Sequence, residues 1–156
     1  ELAIIIGKTS DHRVTKAEAM AYVYGYSIFN DVTVRDYQFR VTQYTAGKNF
    51  RASGPFGPMI VTADEIADPH KLQITTRING QVMQSANTDT MIFDIPTILE
   101  SIAEWIDLEA GDVIPTGTPA GVGFKRNPPV FLKPGDVVEV EIPGLGILSN
   151  PVVMEG

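Results

Sequence analysis

Cysteine is absent, which removes disulfide frameworks, thiolate metal sites and cysteine nucleophiles together. Histidine occurs only at His12 and His70, each in a polar loop where a plain surface role is the ordinary reading. No Gly-x-Ser-x-Gly elbow or Ser-His-Asp arrangement supports serine-hydrolase chemistry. Long apolar runs are missing too: the longest, Leu2–Ile6, falls far short of the roughly 20 residues a membrane helix needs. Positive charge is scarce, with 12 Lys and Arg against 19 Asp and Glu, so the surface is unsuited to a phosphate backbone. What remains is small-molecule chemistry without nucleic acid or membrane, and a cysteine-free chain fits the cytoplasm.

With 44% hydrophobic residues in a chain of 156, one domain with a real core is expected over residues 1–156. The chain opens at Glu1 directly into Leu2-Ala3-Ile4-Ile5-Ile6, a buried strand stopped by Gly7; without an initiator Met, this reads as the loss of an N-terminal portion. Thr15 and Glu18 form a capping-box signature for a short helix ended by Gly25, and Tyr26–Val34 reads as a long strand. Gly54-Pro55-Phe56-Gly57-Pro58 is a turn-dense loop before a strand at 59–62. Asn79-Gly80, flanked by alternating runs from Leu72 to Gln84, predicts a type I′ hairpin. Asp94 and Pro96 open a helix whose Ile95, Ile98, Leu99, Ile102 and Ile106 share one face, running to about Asp107. Gly111-Asp112 and Gly135-Asp136 each launch a β-branched strand, and in the second Val138, Val140 and Ile142 alternate with Glu139 and Glu141. Few helices and many short strands predict a β-rich α+β domain of folded-over mixed sheets.

The stretch from Gly25 to Gly54 places an Asp, an Arg, a Gln and a Lys on an apolar run and the loop after it. Glu1 and Asp31 are candidate ligands for a hard cation, Mg²⁺ with Mn²⁺ or Ca²⁺ as alternatives, because such ions take carboxylates and keep waters a substrate can displace. Asp31 follows Ile28 and Phe29, where an unpaired charge is costly, so a cation or a basic partner belongs nearby; a structural ion pair with Arg35 is the competing reading. Arg35 and Gln38 lie three apart and share a face if the segment is helical, offering a forked cation and an amide to a substrate carboxylate. Lys48, between Gly47 and Asn49, is placed either to neutralise enolate charge or to stand in solvent. Thr116–Gly123 lacks the ending of a P-loop; it either presents backbone N–H groups and the Thr118 hydroxyl to a carboxylate or is a tight turn.

Taken in order, Glu1-Leu2-Ala3, Asn30–Gln38, Gly47-Lys48-Asn49-Phe50, Gly57-Pro58, Asn87–Phe93 and Thr116–Gly123 resemble the C-terminal catalytic domain of the fumarylacetoacetate hydrolase family over nearly the whole chain. The resemblance implies a β-sandwich-like roll and a divalent metal, usually Mg²⁺, held by Glu1, Asp31 and a further Glu just upstream of Glu1. It implies that Arg35, Gln38 and catalytic Lys48 line the site and that Gly117 and Thr118 hold the substrate carboxylate. In several members an N-terminal lid supplies a His and Glu acid/base pair, and neither His12 nor Glu18 stands at a matching position. Homodimers are typical. The expected activity is metal-dependent chemistry on a 2-oxo or β-diketo acid: first, hydrolytic C–C cleavage of an acylpyruvate in aromatic catabolism. The alternative is isomerisation or decarboxylation of 2-hydroxyhepta-2,4-diene-1,7-dioate or oxaloacetate. A non-catalytic anion-binding module is the reading from a different class.

Overall fold

A computed structural model describes residues 1–154. The eight strands are β1 (Leu2–Ile6), β2 (Val23–Phe29), β3 (Phe56–Thr62), β4 (Gln73–Ile78), β5 (Gln81–Asn87), β6 (Val113–Pro115), β7 (Val137–Ile142) and β8 (Gly146–Pro151). They form two four-stranded sheets, ordered β3-β2-β1-β6 and β5-β4-β7-β8. Every pairing among them is antiparallel, so this β-rich α+β roll is not built from mixed sheets. The longest helix is α3 (Ile95–Ala103); α1 (Arg35–Gln38) and α2 (Thr45–Lys48) are single turns between β2 and β3.

β1 explains its own composition. It lies between β2 and β6, and all five of its side chains are buried, so both faces demand apolar residues. Leu2, Ile4, Ile6, Ile28, Ile95 and Leu99 share one core with Val140, Ile142 and Leu148 from the second sheet. Burying a large aliphatic side chain contributes about 2 kcal/mol, so this cluster is the main force that holds the two sheets together. On β7, Val138, Val140 and Ile142 are buried while Glu139 and Glu141 are half-exposed, as the alternation predicts.

The hairpin forms at Asn79-Gly80, with φ of 51° and 79°, the left-handed pair a type I′ turn requires. Both Gly-Asp strand entries use one device: the Asp112 carboxylate accepts from the Glu109 N–H at 2.9 Å and the Asp136 carboxylate from the Lys133 N–H at 2.8 Å. Asp94 caps α3, accepting from the Thr97 N–H at 2.9 Å.

Four expected elements differ. β3 begins at Phe56, inside the expected turn-dense loop, because Phe56 and Gly57 already pair with Phe29 and Ile28 of β2. The helix after Thr15 is only a 3₁₀ turn at Ala19–Tyr22, although Glu18 does accept from the Thr15 N–H at 3.2 Å. Pairing wins there, because β2 begins at Val23 opposite Ile6. Gly25 therefore does not end a helix. It lies inside β2, where a Cβ would stand 2.2 Å from the Val61 carbonyl oxygen, so β3 approaches it as only glycine allows. The strand from Tyr26 stops at Phe29 instead of Val34: Phe29 faces Phe56, the first residue of β3, and beyond it no partner strand remains. Finally, α3 ends at Ala103 instead of near Asp107. The N–H groups of Trp105 and Ile106 both turn back to the Ile102 carbonyl, leaving Ile106 47% exposed instead of on the buried face.

Candidate functional site

Where β2 runs out of partners, the chain leaves the sheet and Asn30–Val34 line a cleft of about 960 Å³. The second sheet lines it through Thr76, Ile78, Val138, Val140 and Asn150, and the connection between β6 and β7 lines it through Gly121–Phe124 and Val130–Leu132. Asn30 donates from Nδ2 to Asn150 Oδ1 at 3.0 Å and ties the two sheets together at the cleft.

Glu1, Asp31, Arg35, Lys48 and Thr118 all line this cleft. Glu1 is 9% exposed, and one carboxylate oxygen, Oε2, accepts from the Gly117 N–H at 2.9 Å. Burial raises its pKa from the ordinary carboxylate value and the charge of Asp31 adds to the effect, while its own α-ammonium, the Gly117 N–H and the Lys48 ammonium oppose it. Two carboxylates thus line one cleft close enough for the charge of one to act on the other, at a cost in electrostatic energy. Asp31 has a single cationic partner among the described residues, Lys48, whose Nζ donates to its Oδ2 and also to Thr33 Oγ1 at 2.9 Å. The expected basic partner is therefore Lys48, and the competing pair of Asp31 with Arg35 does not form. One turn of helix in α2 puts Lys48 there, and it packs tightly on α1: a Cβ at Gly47 would lie 2.6 Å from Gln38 Cβ.

Arg35 and Gln38 do share a face of α1, and Arg35 Nη1 donates to Gln38 Oε1 at 2.6 Å. Gln38 is buried and does not itself line the cleft; its amide oxygen is engaged by the guanidinium. In the Thr116–Gly123 loop, the Gly117 N–H is directed at Glu1 and Gly117 is not a cleft-lining residue. Thr118 is exposed in the cleft, and its Oγ1 accepts from Gln84 Nε2 at 2.9 Å, which leaves its own hydroxyl proton to donate. Neither histidine lines the cleft. His12 is a surface residue, but His70 is half-buried and its Nε2 accepts from the Ile95 N–H at 3.0 Å, closing the first turn of α3.

Sequence reasoning gave no role to Phe124, whose ring lies under the Arg35 guanidinium, 5.3 Å from it, or to Arg126, which donates to the Gly121 and Met83 carbonyls. Both act through backbone that folds back from distant residues, so spacing gave no signal. Thr33 was within reach of inspection: it sits two residues beyond Asp31 and shares its lysine.

As a donor set, Glu1 and Asp31 supply two hard carboxylates, one largely desolvated and both on one cleft. That fits Mg²⁺, which is usually held by one or two carboxylates with water and substrate oxygens completing the shell. Among the described residues, no group of three or more His, Cys, Asp or Glu side chains is arranged around one point.

The family model described as fumarylacetoacetate (FAA) hydrolase C-terminal matches residues 1–153. The chain belongs to the fumarylacetoacetate hydrolase family. It is 46% identical over 154 residues to a mitochondrial oxaloacetate tautomerase of Rattus norvegicus, covering 98% of this chain and 49% of that protein. A fumarylacetoacetate hydrolase from psychrophilic Exiguobacterium antarcticum superposes with a TM-score of 0.95 at 49% identity, covering 99% of this chain and 55% of that one. A 2-hydroxyhepta-2,4-diene-1,7-dioate isomerase from Mycobacterium marinum gives a TM-score of 0.89 at 44% identity, covering 100% and 57%. The chain thus spans about half the length of the relatives it matches. These relatives are enzymes, and two of the three names describe a tautomerase or isomerase. They favour the isomerising alternative over the acylpyruvate cleavage expected first, which holds only at the level of the family. Among the described residues no helix is long and apolar enough to cross a membrane.

Proposed function

We propose that this chain is the catalytic domain of a divalent-metal-dependent tautomerase of 2-oxo dicarboxylic acids, with oxaloacetate as the type substrate. The observation that carries the reading is the convergence of Glu1, Asp31 and Lys48 on one cleft. Tautomerisation moves one proton between the carbon beside the ketone and the ketone oxygen while the double bond shifts between C=O and C=C, and no bond between heavy atoms is cut. Such a reaction needs a polarised 2-oxo group and a stabilised enolate, which is less than the positioned attacking water that hydrolysis demands.

Glu1 and Asp31 would hold the metal. When bound, the ion supplies Lewis-acid polarisation of the substrate's carboxylate and 2-oxo oxygens. The remaining work falls to the chain's own side chains. Lys48, held at Nζ by Asp31 and Thr33, is the ammonium placed to donate a hydrogen bond to the developing enolate oxygen. Arg35 offers the N–H groups not spent on Gln38 to a substrate carboxylate, and Thr118 donates its hydroxyl proton to the same ligand. Gly117 serves indirectly by fixing the Glu1 carboxylate.

The test uses the full-length protein and follows decay of the enol of oxaloacetate. Acceleration that needs Mg²⁺ and is abolished by a chelator is the expected result. Absence of acceleration, or preferential Mg²⁺-dependent cleavage of an acylpyruvate, would restore the hydrolytic reading.

A further inference from the structure

Phe124 faces the cleft from a short 3₁₀ turn, Gly123–Lys125, in the long connection between β6 and β7. Its ring is held in place from several sides. Gly123 lies so close to the Val130 carbonyl that a Cβ there would stand 2.2 Å from the oxygen, and the Val130 N–H returns to the Gly123 carbonyl at 2.9 Å. Arg126 reaches back to the Gly121 carbonyl at 3.1 Å and to the Met83 carbonyl on β5. The neighbouring Gln84 holds the start of the same loop, donating to Thr118 Oγ1 and, at 2.7 Å, to the Pro119 carbonyl. Two adjacent residues of one strand therefore pin both ends of the loop, and Phe39 packs on the ring at 5.2 Å between centroids.

Two cations lie over this ring: Arg35, from α1, with its guanidinium 5.3 Å from the centroid, and Lys125, the ring's own sequence neighbour, with its Nζ at 5.4 Å. Fixing a free arginine on a single helical turn costs rotamer entropy, so without support its fork would spread over many orientations. Gln38 holds one end of the fork at 2.6 Å and the ring covers the guanidinium at 5.3 Å, within the range of a cation–π contact. The other N–H groups of Arg35 have no acceptor among the described residues.

We propose that Phe124 is a positioning residue for Arg35: the ring, anchored through Arg126 to β5 and through Gly123 to Val130, presets the guanidinium for the substrate carboxylate. The consequence for catalysis rests on the proposed contact between Arg35 and substrate; the positioning itself does not.

Two measurements on the full-length protein separate these. In nuclear magnetic resonance spectra, the Arg35 Nε–Hε signal, assigned by its loss in Arg35→Lys, should carry a ring-current shift that disappears in Phe124→Leu and persists in Phe124→Tyr. An unshifted signal in the unmodified protein overturns the positioning. In kinetics with oxaloacetate, Phe124→Leu should lower kcat/KM about tenfold, the scale of a partly desolvated cation–π contact, chiefly through KM, while Phe124→Tyr stays within about twofold. The Leu substitution should have no further effect in an Arg35→Ala background. Equal losses in Leu and Tyr variants, or an undiminished loss without Arg35, would assign Phe124 a merely structural part and overturn the proposal. An unmodified protein inactive on oxaloacetate would instead sink the tautomerase reading, and the spectral shift would still decide the positioning.

Discussion

Position 31 shows how one side chain serves both fold and site. Its carboxylate is about one-quarter exposed and paired with Lys48, a geometry in which the pair itself is worth no more than about 1 kcal/mol of stability. Asp31→Ala should therefore leave the melting temperature within a few degrees while abolishing Mg²⁺ binding by calorimetric titration; retained metal affinity would move the ligand elsewhere. Lys48→Met should lower kcat about 100-fold or more with a smaller change in KM, since an ammonium acting on developing charge matters most in the transition state. An unchanged rate would return Lys48 to a solvated-loop role. The pairing of Arg35 with Gln38 was legible because three residues of helix bring them together. The partner of Asp31 was not, because Lys48 lies 17 positions away across two helical turns and Arg35 was nearer in sequence.

Elements with self-contained signals were the readable ones. The Asn79-Gly80 hairpin, the Asp94 cap and the paired Gly-Asp strand entries carry their cause within a few residues. Elements decided by a distant partner were misread: β2 took over the end of an expected helix and itself stopped where β3 begins. Gly25→Ala should accordingly cost about 3 kcal/mol in denaturant unfolding, since the added methyl meets the β3 backbone and no flexible side chain can yield. Asp94 offers a pH test. Hydrogen bonds from Thr97 and then Lys16 hold its pKa at about 2, below the ordinary 3.8. Because the folded state binds this proton less readily than the unfolded one, the cap's contribution is present above pH 4 and is lost as pH falls from about 4 to about 2. Asp94→Ala should cost about 1 kcal/mol at neutral pH and flatten that part of the stability curve; an unaltered curve would remove the cap from the account.

At the scale of the whole molecule, the cleft is a product of topology. It opens between a sheet that carries Asp31 at the end of β2 and a sheet in which β4 lies beside β7, a pairing no local pattern reveals. The ordered motifs named the family and five side chains that line the cleft, Glu1, Asp31, Arg35, Lys48 and Thr118, but the support of Arg35 by Phe124 emerged only once the chain was folded. Assembly is testable at this scale. A homodimer is the expected form, and Ile92 and Phe93, 91% and 62% exposed, are apolar side chains such a contact would cover. Ile92→Glu should shift the sedimenting species from dimer to monomer without changing the fold by circular dichroism; an intact dimer would exclude this surface.

The most direct measurement is anomalous diffraction from crystals of the full-length protein grown with Mn²⁺ and oxalate, a stable mimic of the enolate. One strong peak is expected, with carboxylate oxygens of Glu1 and Asp31 in its coordination shell and Lys48 turned toward the oxalate. A fully occupied ion elsewhere, or the two carboxylates directed away from each other around an empty gap at saturating metal, would contradict it.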